Sequence, residues 1–235
     1  MKIALAQIQP QKGNINENIS SHLEWIDQAC KMDCDAIFFP ELSLTGYEPV
    51  LAYEMGITSD DSRLIPFQQK SNTFKITIGI GAPTIEGDKR QISMLIFQPF
   101  KNPIVYSKQL LHEDELAYFV AGNKQERIGV KGVSIVPAIC YESMQTSHFE
   151  LAYLEPFDIY LSSVAKHKTG VSAAHKHFGS LALKHDVTVL MVNAVGNCDN
   201  FVAGGQSMVI QPNGEIKTLL DSGQEALLVY DHKVA

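Results

Sequence analysis

Apolar positions along this chain fall into short continuous runs separated by longer amphipathic stretches. Residues 2–9 carry apolar side chains at 3, 4, 5, 6 and 8, too continuous for a strand with one wet face and suited to a strand buried on both. After Gly13, Asn14 or Asn16 can cap a helix whose apolar positions Ile19, Leu23, Ile26 and Cys30 step by 4, 3 and 4, so one face packs on the sheet. Residues 35–39 form a second apolar strand, which stops at Pro40-Glu41 before a turn-rich stretch over 42–47. A helix is predicted over 60–73 with Leu64, Ile65 and Phe67 as its apolar face. Three antiparallel strands follow at 75–84, 92–97 and 104–106, joined by turns at 86–90 and 99–103.

The second half begins again with a buried strand, 133–139. It continues with a helix through 149–154, a strand at 158–162, a loop at 163–170, and a longer helix whose face is Val171, Ala174, Phe178, Leu181 and His185. A strand at 188–193 precedes a C-terminal β meander at 206–211, 216–220 and 226–230. Each half thus has parallel βα units followed by an antiparallel portion. That pattern belongs to the α/β class and suggests two sheets held between helix layers.

Composition changes the picture mainly by exclusion. With 235 residues, 45% of them hydrophobic and 19% charged, and no linker-like stretch, the chain reads as one domain over 1–235. Nineteen basic against 26 acidic residues leave a net charge of −7, with no basic stripe for nucleic acid. No apolar run approaches the ~20 residues of a membrane span, and no signal-peptide pattern precedes the first strand, so the expectation is a cytoplasmic protein with no membrane partner. The four cysteines, at 30, 34, 140 and 198, lack zinc-ribbon or disulfide spacing and read as free thiols. Cys30 and Cys34 read as packing residues.

Candidate chemistry sits at the ends of strands. Glu41 follows two aromatics and a proline at the mouth of the core, where desolvation would raise its pKa and make it a general base. Lys108 closes the third antiparallel strand, and Cys140 ends the buried strand of the second half, placed to act as a nucleophile with the following N–H groups free for an oxyanion. Open α/β sheets gather their active sites at such strand ends.

At these positions the chain resembles the nitrilase superfamily of carbon–nitrogen hydrolases. Phe39-Pro40-Glu41-Leu42 through Gly46-Tyr47 resembles the family's glutamate motif, Tyr106-Ser107-Lys108 with Leu111 its lysine motif, and Ile139-Cys140-Tyr141-Glu142 its cysteine motif. Asn193 with Gly196, then Ser207 through Pro212 and Gly214, resembles its closing segment. The resemblance implies an α-β-β-α four-layer sandwich, two mixed β-sheets packed face to face with helices outside, assembled as a homodimer through the helical layer. It implies a thiol amidase that needs neither cofactor nor metal and cleaves a small linear amide through a cysteine thioester. Nitrile or N-carbamoyl hydrolysis and a non-catalytic binding member are the alternatives. The catalytic set would be Glu41, Lys108 and Cys140 with Glu115 as a second acid, Glu113 and Asp114 competing for that position. The backbone N–H of Tyr141 would face the oxyanion, and Tyr47, Glu142, Ser163 and Val164 would contact substrate.

After Cys140-Tyr141 the family commonly has an acid and then an arginine, where this chain has Glu142-Ser143-Met144-Gln145. The missing arginine counts against carboxylate-bearing substrates. The chain also ends just after its last strand, without the extension that some relatives use to assemble. Among the eight histidines, His175 and His177 are two apart on a predicted helix, diverge by about 200°, and read as solvated rather than as ligands of one metal. An amidotransferase elbow would need glycines where Ile139 and Tyr141 stand.

Overall fold

Ile3 and Leu5 point one way from strand β1 (Lys2–Gln7) and Ala4 and Ala6 the other. In the computed structural model, which describes residues 1–233, all four are fully buried. The reason is a sheet covered on both faces. Strands β2 (Ala36–Phe38) and β3 (Thr77–Glu86) continue from β1 in parallel, and β4 (Lys89–Phe97) and β5 (Ile104–Ser107) extend the sheet antiparallel. The second sheet is built alike. Its parallel centre is β7 (Val133–Ile139), β8 (Ile159–Val164) and β9 (Thr188–Asn193), flanked by β6 (Ile128–Val130) on one side and by β12 (Met208–Ile210) and β13 (Ile216–Leu219) on the other.

Residues from the facing sides of both sheets share one core: Ile3, Leu5, Phe38, Met94 and Ile96 from the first, Ile135, Ile139, Leu161, Leu190 and Val192 from the second. The outer face of the first sheet, through Ala4, Ile37, Phe39, Ile78 and Leu95, packs on helices α1 (Ile15–Lys31) and α3 (Ile65–Phe74). Between these helices the short α2 (Ala52–Met55) crosses a loop. The outer face of the second packs on α4 (Thr146–Ala152) and α5 (Lys168–His185). The result is the expected four-layer α-β-β-α sandwich. Each fully buried aliphatic or aromatic side chain contributes about 1.5–3 kcal/mol, and three such cores explain how the chain can bury several charged groups as well. Asn14 caps α1 by accepting from Glu17 N–H. None of the described helices is long and apolar enough to cross a membrane.

Four details differ from the sequence expectation. Ile65 is exposed, because it opens α3 ahead of Pro66 and the helix buries Phe67 and Ser71 instead. Strand β8 continues through Ser163 and Val164, which the sequence placed in a loop. Serines 162 and 163 stay inside the sheet because Ser162 donates to the Ser143 hydroxyl (2.7 Å) and Ser163 to the Phe39 carbonyl (2.9 Å). A hairpin of β10 (Val195–Cys198) and β11 (Phe201–Gly204) stands apart from both sheets. Finally the C-terminal meander splits. Strands β12 and β13 pair with each other, while β14 (Ala226–Asp231) crosses to the first sheet and pairs antiparallel with β1.

Candidate functional site

Glu41, Lys108 and Cys140 lie just past the ends of β2, β5 and β7, and the local sequence fixes each one. The loop carrying Glu41 runs directly over β3. A Cβ on Gly81 would come within 2.3 Å of the Pro40 carbonyl oxygen and 2.5 Å of Leu42 N, so only glycine lets the strand pass beneath. His22 of α1 props the same loop, accepting or donating at Ser43 Oγ (2.9 Å), and Ser43 Oγ in turn accepts from Gly81 N–H (3.1 Å). Burial holds His22 neutral, with its pKa down to about 4. On the lysine side, Gly122 N–H donates to the Lys108 carbonyl at 2.7 Å. A Cβ on Gly122 would sit 2.3 Å from Ser107 O.

Three charged groups meet with no access to solvent. The Lys108 ammonium donates to Glu41 Oε1 (2.8 Å) and to Glu115 Oε1 (2.6 Å). Glu115 Oε1 also accepts from the Tyr47 hydroxyl (2.9 Å), and its Oε2 accepts from His112 N–H (2.8 Å). Of the three acids at 113–115, Glu115 alone is buried and reaches the lysine; Glu113 and Asp114 face solvent. Burial opposes the charge on Lys108, but Glu41, the Cys140 thiolate and Glu115 outweigh it and hold the ammonium above its ordinary range. Glu41 is pushed above the usual carboxylate range by burial, against the pull of Lys108. Its Oε2 is buried with no hydrogen-bond partner among the described residues. A buried carboxylate oxygen left free beside a cysteine is a proton acceptor in waiting.

Cys140 has left-handed backbone geometry, φ +46°, a strained turn that sets a side chain at the apex of a strand exit. Its N–H still donates to the Ser163 carbonyl (2.9 Å), and its carbonyl accepts from both the N–H (3.2 Å) and the hydroxyl (2.6 Å) of Ser143. The sulfur, half-buried, lies 3.9 Å from the Ala165 carbonyl oxygen. Burial and the Glu41 charge push the thiol up to about 11, with Lys166 and Lys108 pulling it down. At neutral pH the resting group is therefore a thiol, and any attack by sulfur requires a base to take its proton. The N–H of Tyr141 makes no hydrogen bond with the described residues.

The four residues expected to touch substrate are all buried. Tyr47 is bonded to Glu115, Ser163 to Phe39, and the Val164 side chain lies in the core between the second sheet and its helices. Glu142 corrects the expectation most clearly. Its Oε1 accepts from Ile139 N–H (2.6 Å) and Tyr106 OH (2.7 Å), its Oε2 from Gln109 N–H (2.6 Å) and Leu110 N–H (3.2 Å). Burial pushes its pKa up to about 7 against those donors. Glu142 therefore ties the cysteine turn to the lysine strand rather than facing open space. Glu142→Gln replaces acceptors by an amide that faces N–H donors, and should cost about 2–4 kcal/mol in urea unfolding. A lower kcat at unchanged KM is expected; a rise in KM with unchanged stability would instead make Glu142 a substrate contact.

An open groove of ≈ 610 Å³ runs beside Tyr141, lined mainly by Leu110, Leu111, Leu116, Phe119 and Val120. His175 and His177 are half-buried rather than solvated, and burial lowers both pKa values. Sequence reasoning missed His22, whose position on the sheet-facing side of α1 read only as helix, and Lys166, one of several lysines around a presumed loop. Lys166 is the half-buried residue next to Ala165.

A family model described as carbon-nitrogen hydrolase matches residues 2–235. Among curated proteins, the glutamine-dependent NAD(+) synthetase of Acinetobacter baylyi is 27% identical over 235 residues, covering 96% of this chain and 43% of that protein. The enzyme of the same name from Thermotoga maritima is 22% identical, covering 98% and 42%. The chain spans about two fifths of the length of these relatives. Among solved structures, the glutamine-dependent NAD+ synthetase of Acinetobacter baumannii in complex with ADP superposes with a TM-score of 0.86 at 26% identity, over 97% of this chain and 44% of that one. A variant of the amidase from Nesterenkonia sp. AN1, bearing a Michael adduct of acrylamide on its active-site cysteine, gives 0.88 at 21% identity over 99% and 93%. At that identity the second likeness speaks for the fold.

Proposed function

The chain belongs to the carbon–nitrogen hydrolase family, and from that premise we propose that it cleaves a small linear amide to acid and ammonia through a thioester on Cys140. The observation that carries the proposal is the ammonium of Lys108 held between Glu41 and Glu115 while the second oxygen of Glu41 has no partner among the described residues. Glu41 takes the thiol proton as sulfur attacks the amide carbonyl, so an S–C bond forms and the carbonyl electrons move onto oxygen. Lys108 and the unbonded Tyr141 N–H stabilise that oxyanion, at about 3 kcal/mol per donor. Glu41 then passes its proton to the nitrogen, the C–N bond breaks, and ammonia leaves. Water attacks the thioester with Glu41 again as base, and the proton returns to sulfur. Glu115 never touches the reacting atoms; it holds Lys108 in place.

The names of the curated relatives add glutamine, with its side-chain carboxamide, to the candidate substrates. The test is a panel of amides that includes glutamine, read as released ammonia with Cys140→Ala as the blank. Turnover should vanish in the blank, and rapid quenching of the active protein should show an acyl adduct on Cys140 by intact mass. Neither ammonia nor adduct across the panel would leave a binding role as the better reading.

A further inference from the structure

Charge around Cys140 does not balance from the catalytic residues alone. Glu41 and Glu115 share one ammonium, so the trio carries a surplus negative charge when all three are ionised. Glu142 adds a buried carboxylate bonded to neutral donors, with the largely neutral His148, pKa about 4, as its nearest basic neighbour at 3.7 Å. A substrate with its own negative charge would be repelled here unless a cation stood on the open side.

Lys166 is placed to be that cation. It follows Ala165, whose carbonyl oxygen is 3.9 Å from the cysteine sulfur. Its backbone is clamped on both sides: the N–H donates to Asn193 Oδ1 (2.9 Å), and the carbonyl accepts from Asn193 Nδ2 (3.0 Å) and Gly204 N–H (2.8 Å). Asn193 is itself buried at the end of β9, so the lysine stem starts from a rigid point. The side chain is half-exposed and has no carboxylate within salt-bridge distance among the described residues. Of the two cations that ease ionisation of Cys140, Lys166 acts more strongly than Lys108.

We propose that, where the sequence expectation was against a carboxylate-bearing substrate for want of an arginine after Cys140-Tyr141, Lys166 supplies the cation instead and binds a carboxylate on the substrate, making the preferred amide an anionic one whose carboxylate and carboxamide belong to the same short chain. A compact, mobile ammonium suits a single carboxylate oxygen. This deepens the amidase reading and rests on Cys140 as the reacting atom, so its test includes an arm that needs no hydrolysis.

In that arm Cys140 is labelled by 4-maleimidobutyrate or by its uncharged methyl ester, and the Cys140 peptide is followed by mass spectrometry. The thiolate adds across the maleimide double bond and the adjacent carbon takes a proton, so no leaving group is involved. Lys166→Met raises the thiol pKa and slows both reagents alike, and the ratio of the two rates cancels that effect. The ratio of charged to uncharged labelling should fall about tenfold in Lys166→Met, equivalent to about 1.4 kcal/mol, and recover in Lys166→Arg. In the hydrolysis arm, kcat/KM for succinamate should fall about tenfold further than that for butyramide, through KM. An unchanged labelling ratio, or equal losses on both amides, overturns the anchor. A shifted ratio in a protein that hydrolyses no amide keeps the anion site and overturns the amidase reading instead.

Discussion

Lys108→Met should lose about a thousandfold in amide turnover and about 3–5 kcal/mol in stability, from a single cause. The ammonium is fully buried and bonded to two carboxylates. Removing it takes away an oxyanion donor, worth about 10²–10³ in rate, and strands Glu41 and Glu115 against each other in the core, the usual large penalty of breaking a buried pair. The stability loss should depend on pH. Glu41 already lies above the usual carboxylate range, and without the lysine it moves further up. A carboxyl group raised on folding contributes stability that is present at low pH and lost as pH rises through its folded pKa. The deficit against the parent protein, read by urea unfolding, should therefore be larger at pH 8 than at pH 5. A deficit that stays flat across that range would mean that the lysine's partners were not stranded charges.

Glu41→Gln should separate two properties that a simple loss of the site would change together. Hydrolysis should fall by about 10³, within the usual range for a general acid–base group, because the resting thiol, at about 11, would have no base at neutral pH. Alkylation of the same thiol by iodoacetamide should become faster. Glu41 is the charge that holds the thiolate back most, second only to burial, and its neutral replacement leaves Lys108 and Lys166 with less opposition. One unit of pKa is a tenfold change in thiolate fraction. The midpoint of alkylation rate against pH should thus lie below that of the parent, and alkylation at pH 8 should rise severalfold while hydrolysis collapses. If both rates fall together, Glu41 positions the cysteine and does not serve as its base.

How much of this was legible in sequence depends on which residues had local reasons for their places. The strand ends at Glu41, Lys108 and Cys140 could be read because apolar runs stop abruptly there, and β9 was predicted with its observed limits, Thr188–Asn193. Glu115 could be ranked above Glu113 and Asp114, but the contact with Lys108 that distinguishes it is made only in three dimensions. Strand β8 was cut short because serine reads as polar, whereas both serines spend their hydroxyls inside the protein. Glu142 was misplaced for the converse reason: next to a nucleophile an acid suggests substrate, and three of its four hydrogen-bond donors come from a stretch more than thirty residues away in the chain, 106–110. The strands of the β10–β11 hairpin are four residues each, and the apolar Val202 is exposed while Val195, Cys198 and Ala203 are buried, so periodicity had little to report. The choice of partner for β14 lies outside any local pattern.

That choice sets an order of events as the protein is made. Strand β14 seals the edge of β1, and Met1 N donates to the His232 carbonyl 231 residues away. Until β14 emerges from the ribosome, β1 presents an unpaired edge next to the parallel centre of the first sheet. At about 5–20 residues per second this interval lasts about 11–45 seconds. The nascent chain would carry an open sheet edge throughout, the state in which strands pair with the wrong neighbour. The first strand made is thus completed only by the last.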